Sequence, residues 1–308
     1  MTGQEPALPD VAARLGRLTG TEVREIRRLG GQHEWGHYRV VLADGRLVFA
    51  KAAGADLGAG RDGLFEAEAR GMRWLADAGA VPVPDVLGWD SRALAVCWLT
   101  GEPPAAAAAE RFGRDLARMH LAGSARFGAP WPGFIASLPL GNGAGPDAGR
   151  GGGPDAVDSW PQWYARERLL PYARRAFDAG DLAAADLRLL ETVASRAGAL
   201  AGPAEPPSRI HGDCWSGNLL WSGGRGWLVD PAAHGGHRES DLAMLALFGA
   251  PYLERIMAAY QEIAPLAAGW RARVPLHQLH PLLVHACLFG AAYRDAALGA
   301  ARSALAAG

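Results

Sequence analysis

The chain has 308 residues, of which 49% are hydrophobic, with a formal net charge of -1 at pH 7. That length carries one large domain or two lobes with a sizeable core, and the near-neutral balance gives no support for a nucleic-acid or anionic-membrane partner. The start is mixed and polar without an apolar leader run, and no stretch is long and apolar enough to span a bilayer.

Cys97, Cys214 and Cys287 are widely spaced and form no C-x-x-C pair. This argues against a disulfide scaffold or zinc site and fits a reducing, cytoplasmic setting. Cys97 and Cys287 read as small core residues, whereas Cys214 falls next to the candidate site. The 31 basic residues include a single lysine, Lys51, and the only asparagines are Asn142 and Asn218. Where arginine serves as the general cation, a lone lysine marks a place for a compact ammonium, such as a point charge on phosphate oxygens.

In chain order, Leu8, Val11, Leu15 and Leu18 recur at helical spacing after Pro9-Asp10, so residues 8–19 form a packing helix. Three β-type runs follow: Thr21 to Leu29, Gly36 to Leu42, and Leu47 to Ala52 after the Asp44-Gly45 turn. The first two are joined through Gly30 and Gly31. A glycine-bearing hairpin ahead of a lysine strand can cover nucleotide phosphates with backbone N–H groups, although an ordinary hairpin fits equally. His33 and His37 near it read as surface or packing residues.

Lys51 closes the third run. The segment from Leu64 to Ala78 has the spacing of an amphipathic helix and offers Glu68, or alternatively Glu66, as partner for Lys51. Strands at Val86 to Trp89 and Leu94 to Trp98 lead to a hinge at 99–101. Beyond it the chain turns helical, with Ala105 to Leu121 first. Residues 141–158 are low-complexity Gly/Pro/Asp, a surface loop or a substrate flap. Helices are expected over Trp160 to Phe177, Asp181 to Ala199, Tyr252 to Ile263 and Pro275 to Leu298. His277, His280 and His285 in the last read as packing residues.

The densest chemistry lies between. His211-Gly212-Asp213 is followed by Asn218 at five positions from Asp213, and Asp230 ends a strand twelve positions later. Phosphoryl transfer from a nucleotide needs such a set: a carboxylate for the attacking hydroxyl, then an amide oxygen and a second carboxylate for Mg2+. The spacing parallels the H-R-D-x4-N and D-F-G elements of protein kinases, with Val48 to Lys51 resembling their lysine strand. Asp241, at a helix start, suits a buried acceptor for backbone N–H groups of the loop, or a plain N-cap.

With those residues in place the chain resembles the fructosamine kinase (ketosamine 3-kinase) family, of the aminoglycoside phosphotransferase-like branch of the kinase fold. The resemblance rests on His211 to Asn218 (H-G-D-x-W-S-G-N), Asp230-Pro231-Ala232, Gly236 to Ala243, Phe65 to Ala69, and Trp160 to Leu169. It runs from about Gly30 to Tyr293. It departs at residues 33–38, where the family has an Asn-x-x-Tyr type of stretch, and in the insert before Trp160.

It implies an α+β, two-lobe protein-kinase-like fold: a β-rich nucleotide-binding lobe (1–98), a hinge (99–101) and a helical catalytic lobe (102–308). It further implies ATP and Mg2+, with Lys51, Glu68, Gly30 and Gly31 at the nucleotide and Asn218 and Asp230 at the metal. Asp213 would be the base, His211 and Asp241 the loop's support, and Trp215 would either stack on the sugar or brace the loop from the core. The acceptor would be the 3-hydroxyl of a free or protein-bound ketosamine, leading to deglycation. Two rivals stand beside this reading: a phosphotransferase for another alcohol, such as an aminoglycoside or amino alcohol, and an inactive kinase-like binding protein.

Overall fold

The computed structural model describes residues 7–32, 35–54, 61, 63–143 and 159–307. His33, most of the Gly-rich stretch at 55–63 and most of the expected loop at 141–158 lie outside the described residues.

Helix α1 (Leu8–Thr19) begins at a proline-bearing first turn, ends on left-handed Gly20, and buries Val11 and Leu15. Strands β1 (Val23–Gln32), β2 (Trp35–Leu42) and β3 (Leu47–Ala53) follow, then α2 (Leu64–Ala76), β4 (Val86–Asp90) and β5 (Ala93–Cys97). The five strands form one antiparallel sheet in the order β1-β2-β3-β5-β4. Strand alternation sends Val48, Ala50 and Ala52 to the α1 face, where they pack with Leu15, Tyr38 and Val40. Ala53 faces α2 and packs with Phe65, Ala69 and Met72. Lys51 therefore emerges on the α2 side. In α2, Phe65, Ala69 and Met72 are buried on one stripe and Glu68 lies on it. Glu66 points away and pairs with Arg70 at the surface, 2.7 Å.

An irregular segment, Leu99–Gly101, leads into α3 (Ala106–Leu121). The stretch after α3 carries a small hairpin, β6 (Gly133–Ile135) and β7 (Leu138–Leu140), that no periodicity announces. Next comes α4 (Trp160–Tyr164), which runs through a π-helical turn (Ala165–Leu169) into α5 (Leu170–Asp178), and then α6 (Ala184–Leu200).

Two short antiparallel pairs frame the H-G-D segment. Strand β8 (Ser208–Ile210) precedes it, and a 3-10 turn (Ser216–Asn218), β9 (Leu219–Ser222), β10 (Arg225–Leu228) and β11 (His234–Gly236) follow. β9 pairs with β10, and β11 pairs with β8. The chain ends in α7 (Arg238–Leu247), α8 (Leu253–Ile263), α9 (Trp270–Phe289) and α10 (Arg294–Ala307). The helix expected over Pro275 to Leu298 starts earlier and breaks at Gly290, whose φ of 74° and the 3-10 turn Gly290–Tyr293 divide it in two. No helix among the described residues is long and apolar enough to cross a membrane. The core assignment of the cysteines is corrected: Cys214 is fully buried, whereas Cys97 and Cys287 are only partly so. Burial raises the Cys214 thiol pKa, which makes it a poor nucleophile.

Candidate active site

Between the sheet and the helical region lies an open cleft of about 130 Å3, bordered by Lys51, Glu68, Asp213, Trp215, Asn218 and Asp230. Residues separated by up to 179 positions thus meet in one place. Lys51 Nζ donates to both Glu68 carboxylate oxygens (2.9 and 3.0 Å) and lies 2.7 Å from Asp230 Oδ1. Burial alone would lower the Lys51 pKa, but the two carboxylates carry it above the ordinary lysine value and keep the ammonium charged. The same burial pushes Glu68 up, countered by Lys51. Burial also works to raise Asp230, but there Lys51 prevails and the net shift is downward. Two carboxylates share one ammonium, and the strain of that falls on Glu68, whose pKa is raised, while Asp230 is held in its charged form.

Asp213 sits in the irregular stretch between β8 and the 3-10 turn. Asn218 Nδ2 donates to its carboxylate Oδ2 and to its own backbone carbonyl, each at 2.9 Å. Burial pushes the Asp213 carboxyl up to about 7, opposed by the Asn218 bond and reinforced by Asp230 and Asp241. A carboxylate poised there can take a proton from a hydroxyl near neutral pH. Asp230 has φ of 53°, a left-handed conformation rare for a non-glycine residue, and its side chain is 42% exposed toward the cleft. Such strain is held by the loop around it: the Val229 N–H bonds the Asn218 carbonyl at 3.0 Å, and the Val229 carbonyl accepts from His211 Nε2 at 2.9 Å.

The loop is anchored from below by Asp241, which lies within the first turn of α7. The N-cap of that helix is His237, whose Nδ1 accepts from Glu239 N. Asp241 accepts the backbone N–H groups of His211 (2.7 Å) and Gly212 (2.9 Å) and the ring Nε2–H of His120 (3.1 Å). His120 Nδ1 in turn meets the Tyr260 hydroxyl at 2.8 Å. Glycine is required at 212: its φ is 80°, and a Cβ there would collide with the Ala232 carbonyl. At Gly217 a Cβ would meet only the Trp215 indole folded over it, so a side chain there would displace that ring. Trp215 is 38% exposed, so it stands at the cleft mouth and is no core residue.

Gly30 and Gly31 sit at the end of β1, in register with His37 and Gly36, and neither borders the cleft as the described residues form it. Other residues were missed by motif reading. His37, paired in register with Lys51, borders the cleft, as do Trp35, Trp131 and Phe134. Trp131 and Phe134 come from the stretch around the unannounced β6–β7 hairpin. Only their aromatic density (Trp131-Pro132-Gly133-Phe134) could have marked them.

The donor set suits a hard divalent cation. Asp230 offers a half-exposed carboxylate, and the Asn218 amide oxygen has no protein partner among the described residues.

A sheet joined to a helical region, with a lysine–carboxylate pair and an Asp/Asn/Asp set in the cleft between them, defines a kinase-like phosphotransferase architecture. Similarity to known proteins carries this further. The family model described as fructosamine kinase matches residues 10–307, and the chain belongs to that family. It is an ATP-dependent phosphotransferase. The "Probable ketoamine kinase TTHA1179" of Thermus thermophilus is 32% identical over 237 residues, covering 76% of this chain and 80% of that one. The crystal structure of a "putative fructosamine-3-kinase" from Thermobifida fusca is 54% identical, with a TM-score of 0.89 over 97% of this chain and 100% of that one. The ADP-bound aminoglycoside phosphotransferase APH(2'')-Ib shares the fold alone, at 14% identity and a TM-score of 0.61 over 98% of each chain.

Proposed function

We propose that the protein phosphorylates the 3-hydroxyl of ketosamines at the expense of ATP and thereby starts their removal from amines. The reading is carried by the convergence of Lys51, Glu68, Asp213, Asn218 and Asp230 on one cleft in a chain of the fructosamine kinase family. Lys51, held by Glu68, is the point charge for the nucleotide phosphates. Asn218 and Asp230 would hold Mg2+, which would neutralise phosphate charge when bound.

Asp213 orients the acceptor hydroxyl and receives its proton as the O3–P bond forms and the bond to the ADP leaving oxygen breaks. Asn218 keeps the Asp213 carboxylate aimed while it does so. Phosphate at C3 lies β to the C1–C2 carbon pair of a ketosamine. Enolisation toward C1 then expels phosphate, and hydrolysis of the resulting imine frees the amine, so phosphorylation labels the adduct for breakdown.

The experiment is ADP release with a panel of ketosamines, aminoglycosides and amino alcohols. Turnover confined to ketosamines is expected, with phosphate located on O3 by NMR of the early product. Turnover of an aminoglycoside with no activity on any ketosamine would overturn the assignment.

A further inference from the structure

Two residues beyond Asp213, Trp215 begins a row of aromatic rings that leaves the cleft and crosses the helical region. One face of its indole rests on Gly217, and its outer part meets Phe248 at 5.9 Å between centroids, edge to face. Phe248, at the C-terminus of α7, meets His285 of α9 at 5.0 Å. His285 meets Phe289 at 5.5 Å and Tyr293 at 4.8 Å, and those two lie 5.9 Å apart.

The row is open to solvent: Trp215 is 38%, Phe248 36% and Phe289 53% exposed. Large exposed apolar groups scattered singly need no explanation, but a contiguous strip that starts inside a catalytic cleft does. The imidazole in it is disfavoured as a cation. His285 Nδ1–H donates to the Pro281 carbonyl at 2.8 Å, and burial holds its pKa below the ordinary histidine value. The strip is therefore an uncharged aromatic surface joined to the acceptor end of the site.

We infer that this strip is the subsite for the nitrogen substituent of the acceptor, and that the preferred acceptors are small ketosamines of amines bearing apolar or aromatic groups. The inference rests on the ketosamine kinase reading above. In a ketosamine the amine is attached to C1, two carbons from the C3 hydroxyl presented to Asp213. At neutral pH it is a secondary ammonium. An aromatic face beside that position attracts the cation, and Trp215 borders the same cleft as Asp213. Whatever group the nitrogen carries must then leave the cleft. The aromatic row from Trp215 through Phe248 to Phe289 gives an apolar group a surface to cover, whereas a bare methyl would reach no farther than Trp215.

The test uses the intact protein and fructose adducts of methylamine, butylamine and benzylamine. KM is expected to fall roughly tenfold across the series with kcat held within about twofold, because the substituent binds equally in ground and transition states. Phe289→Ala, which removes a half-exposed ring, is expected to raise KM for the benzyl adduct about 5-fold more than for the methyl adduct, the size of one lost aromatic contact. Leu121→Ala, an exposed apolar residue at the end of α3 outside the aromatic row, is the control expected to shift neither.

Turnover of all three adducts with equal KM overturns the subsite while leaving the ketosamine reading intact, as does a Phe289→Ala effect that is the same for every adduct. No turnover of any ketosamine, with ATP still bound, removes both. Sedimentation of parent and Phe289→Ala closes the remaining route: a change of oligomeric state without a change in relative KM would make the strip a contact between copies and sink the proposal.

Discussion

Asp241 and Asp230 are both aspartates of the same catalytic region, and their surroundings are opposites. Asp241 is buried and saturated: two backbone N–H groups and a histidine N–H meet its two oxygens. Burial works against its charge, and the His120 contacts with the backbone bonds override it, so its pKa is lowered. Asp230 is left-handed, half-exposed, and shares one ammonium with Glu68. The first carboxylate is spent on holding a loop still. The second is under-neutralised and open to the cleft, which is where a cation and phosphates would find unsatisfied charge. A kinase needs both kinds, a rigid frame for the base and a partly unsettled site for its ligands, and here the two are assigned to different elements.

The largest effect should come from the group between them. Asp213→Asn keeps the side-chain shape and its Asn218 contact but cannot take a proton, so kcat should fall by roughly 10²–10⁴ with ATP affinity retained. Single-turnover kinetics beside a nucleotide-binding titration checks this. Near-parental turnover would remove Asp213 from the mechanism.

The contrast between the two supporting aspartates can be broken by exchanging their chemistry. Asp241→Ala leaves two buried backbone donors and a histidine unpaired, at a cost of about 3–5 kcal/mol, and should abolish folding or lower the melting temperature steeply. Asp230→Asn removes one of two carboxylates crowding Lys51. It should melt within about 1 kcal/mol of the parent and lose Mg2+-dependent ATP binding. Thermal melts with and without Mg-ATP distinguish the pair. A stable Asp241→Ala protein, or an Asp230→Asn protein still stabilised by Mg-ATP, would erase the division of labour drawn above.

Much of this division was legible in the sequence, and the limit was physical. Lys51, Glu68, Asp213, Asn218 and Asp230 each belong to a local pattern, a strand end, a helix stripe or a loop, and local patterns survive in one dimension. The family pattern over Phe65 to Ala69 favoured Glu68 with Glu66 as the fallback, and the packing of α2 gives the physical reason. Glu68 lies on the buried stripe of α2, whereas Glu66 finds Arg70 at the surface. The anchor of the loop was harder. Asp241 could be marked as a buried acceptor or an N-cap, but its link through His120 to Tyr260 joins residues 121 and 140 positions apart. Trp35, Trp131 and Phe134 reach the cleft only because the sheet and a short hairpin turn toward it, and no periodicity encodes that.

A pH effect separates the sheet from the helical region. His211, His234, His237, His277 and His280 are buried in the helical region, and burial lowers the pKa of each, that of His234 to about 3. His237, Glu239 and His277 approach one another closely enough to hold a metal ion. Glu239, however, is already paired with Arg273 at 2.5 and 2.9 Å, which neutralises the carboxylate.

The unfolded chain takes up protons at these histidines below about pH 6.5 while the folded one does not. Stability is therefore full above that pH and declines as pH falls, continuing for His234 down to about 3. Each such histidine costs up to about 1.4 kcal/mol per pH unit. Hydrogen exchange at pH 7.5 and 5.5 should show protection lost first in α7 and α9 and retained longer in the β1–β5 sheet. Uniform loss across both regions would contradict the assignment.

The smallest effect tests whether Lys51 belongs more to Glu68 or to Asp230. Glu68 bonds it with both oxygens, and Asp230 approaches it through Oδ1 alone. Glu68→Gln keeps one acceptor oxygen, removes a buried charge and relieves the repulsion between the two carboxylates. Lys51 would stay charged through Asp230, so the fold should be unaffected or slightly steadier. The cost is in position, because a neutral acceptor replaces a charge-assisted bond worth about 1 kcal/mol more, and kcat/KM should drop roughly 5–10-fold. Lys51→Arg should do more harm, since a forked guanidinium does not fit a site that holds the compact ammonium 94% buried. Measured side by side, a Glu68→Gln loss as deep as that of Lys51→Arg would mean Asp230 does not hold the lysine. A Glu68→Gln protein with parental kcat/KM would mean Glu68 does not position it.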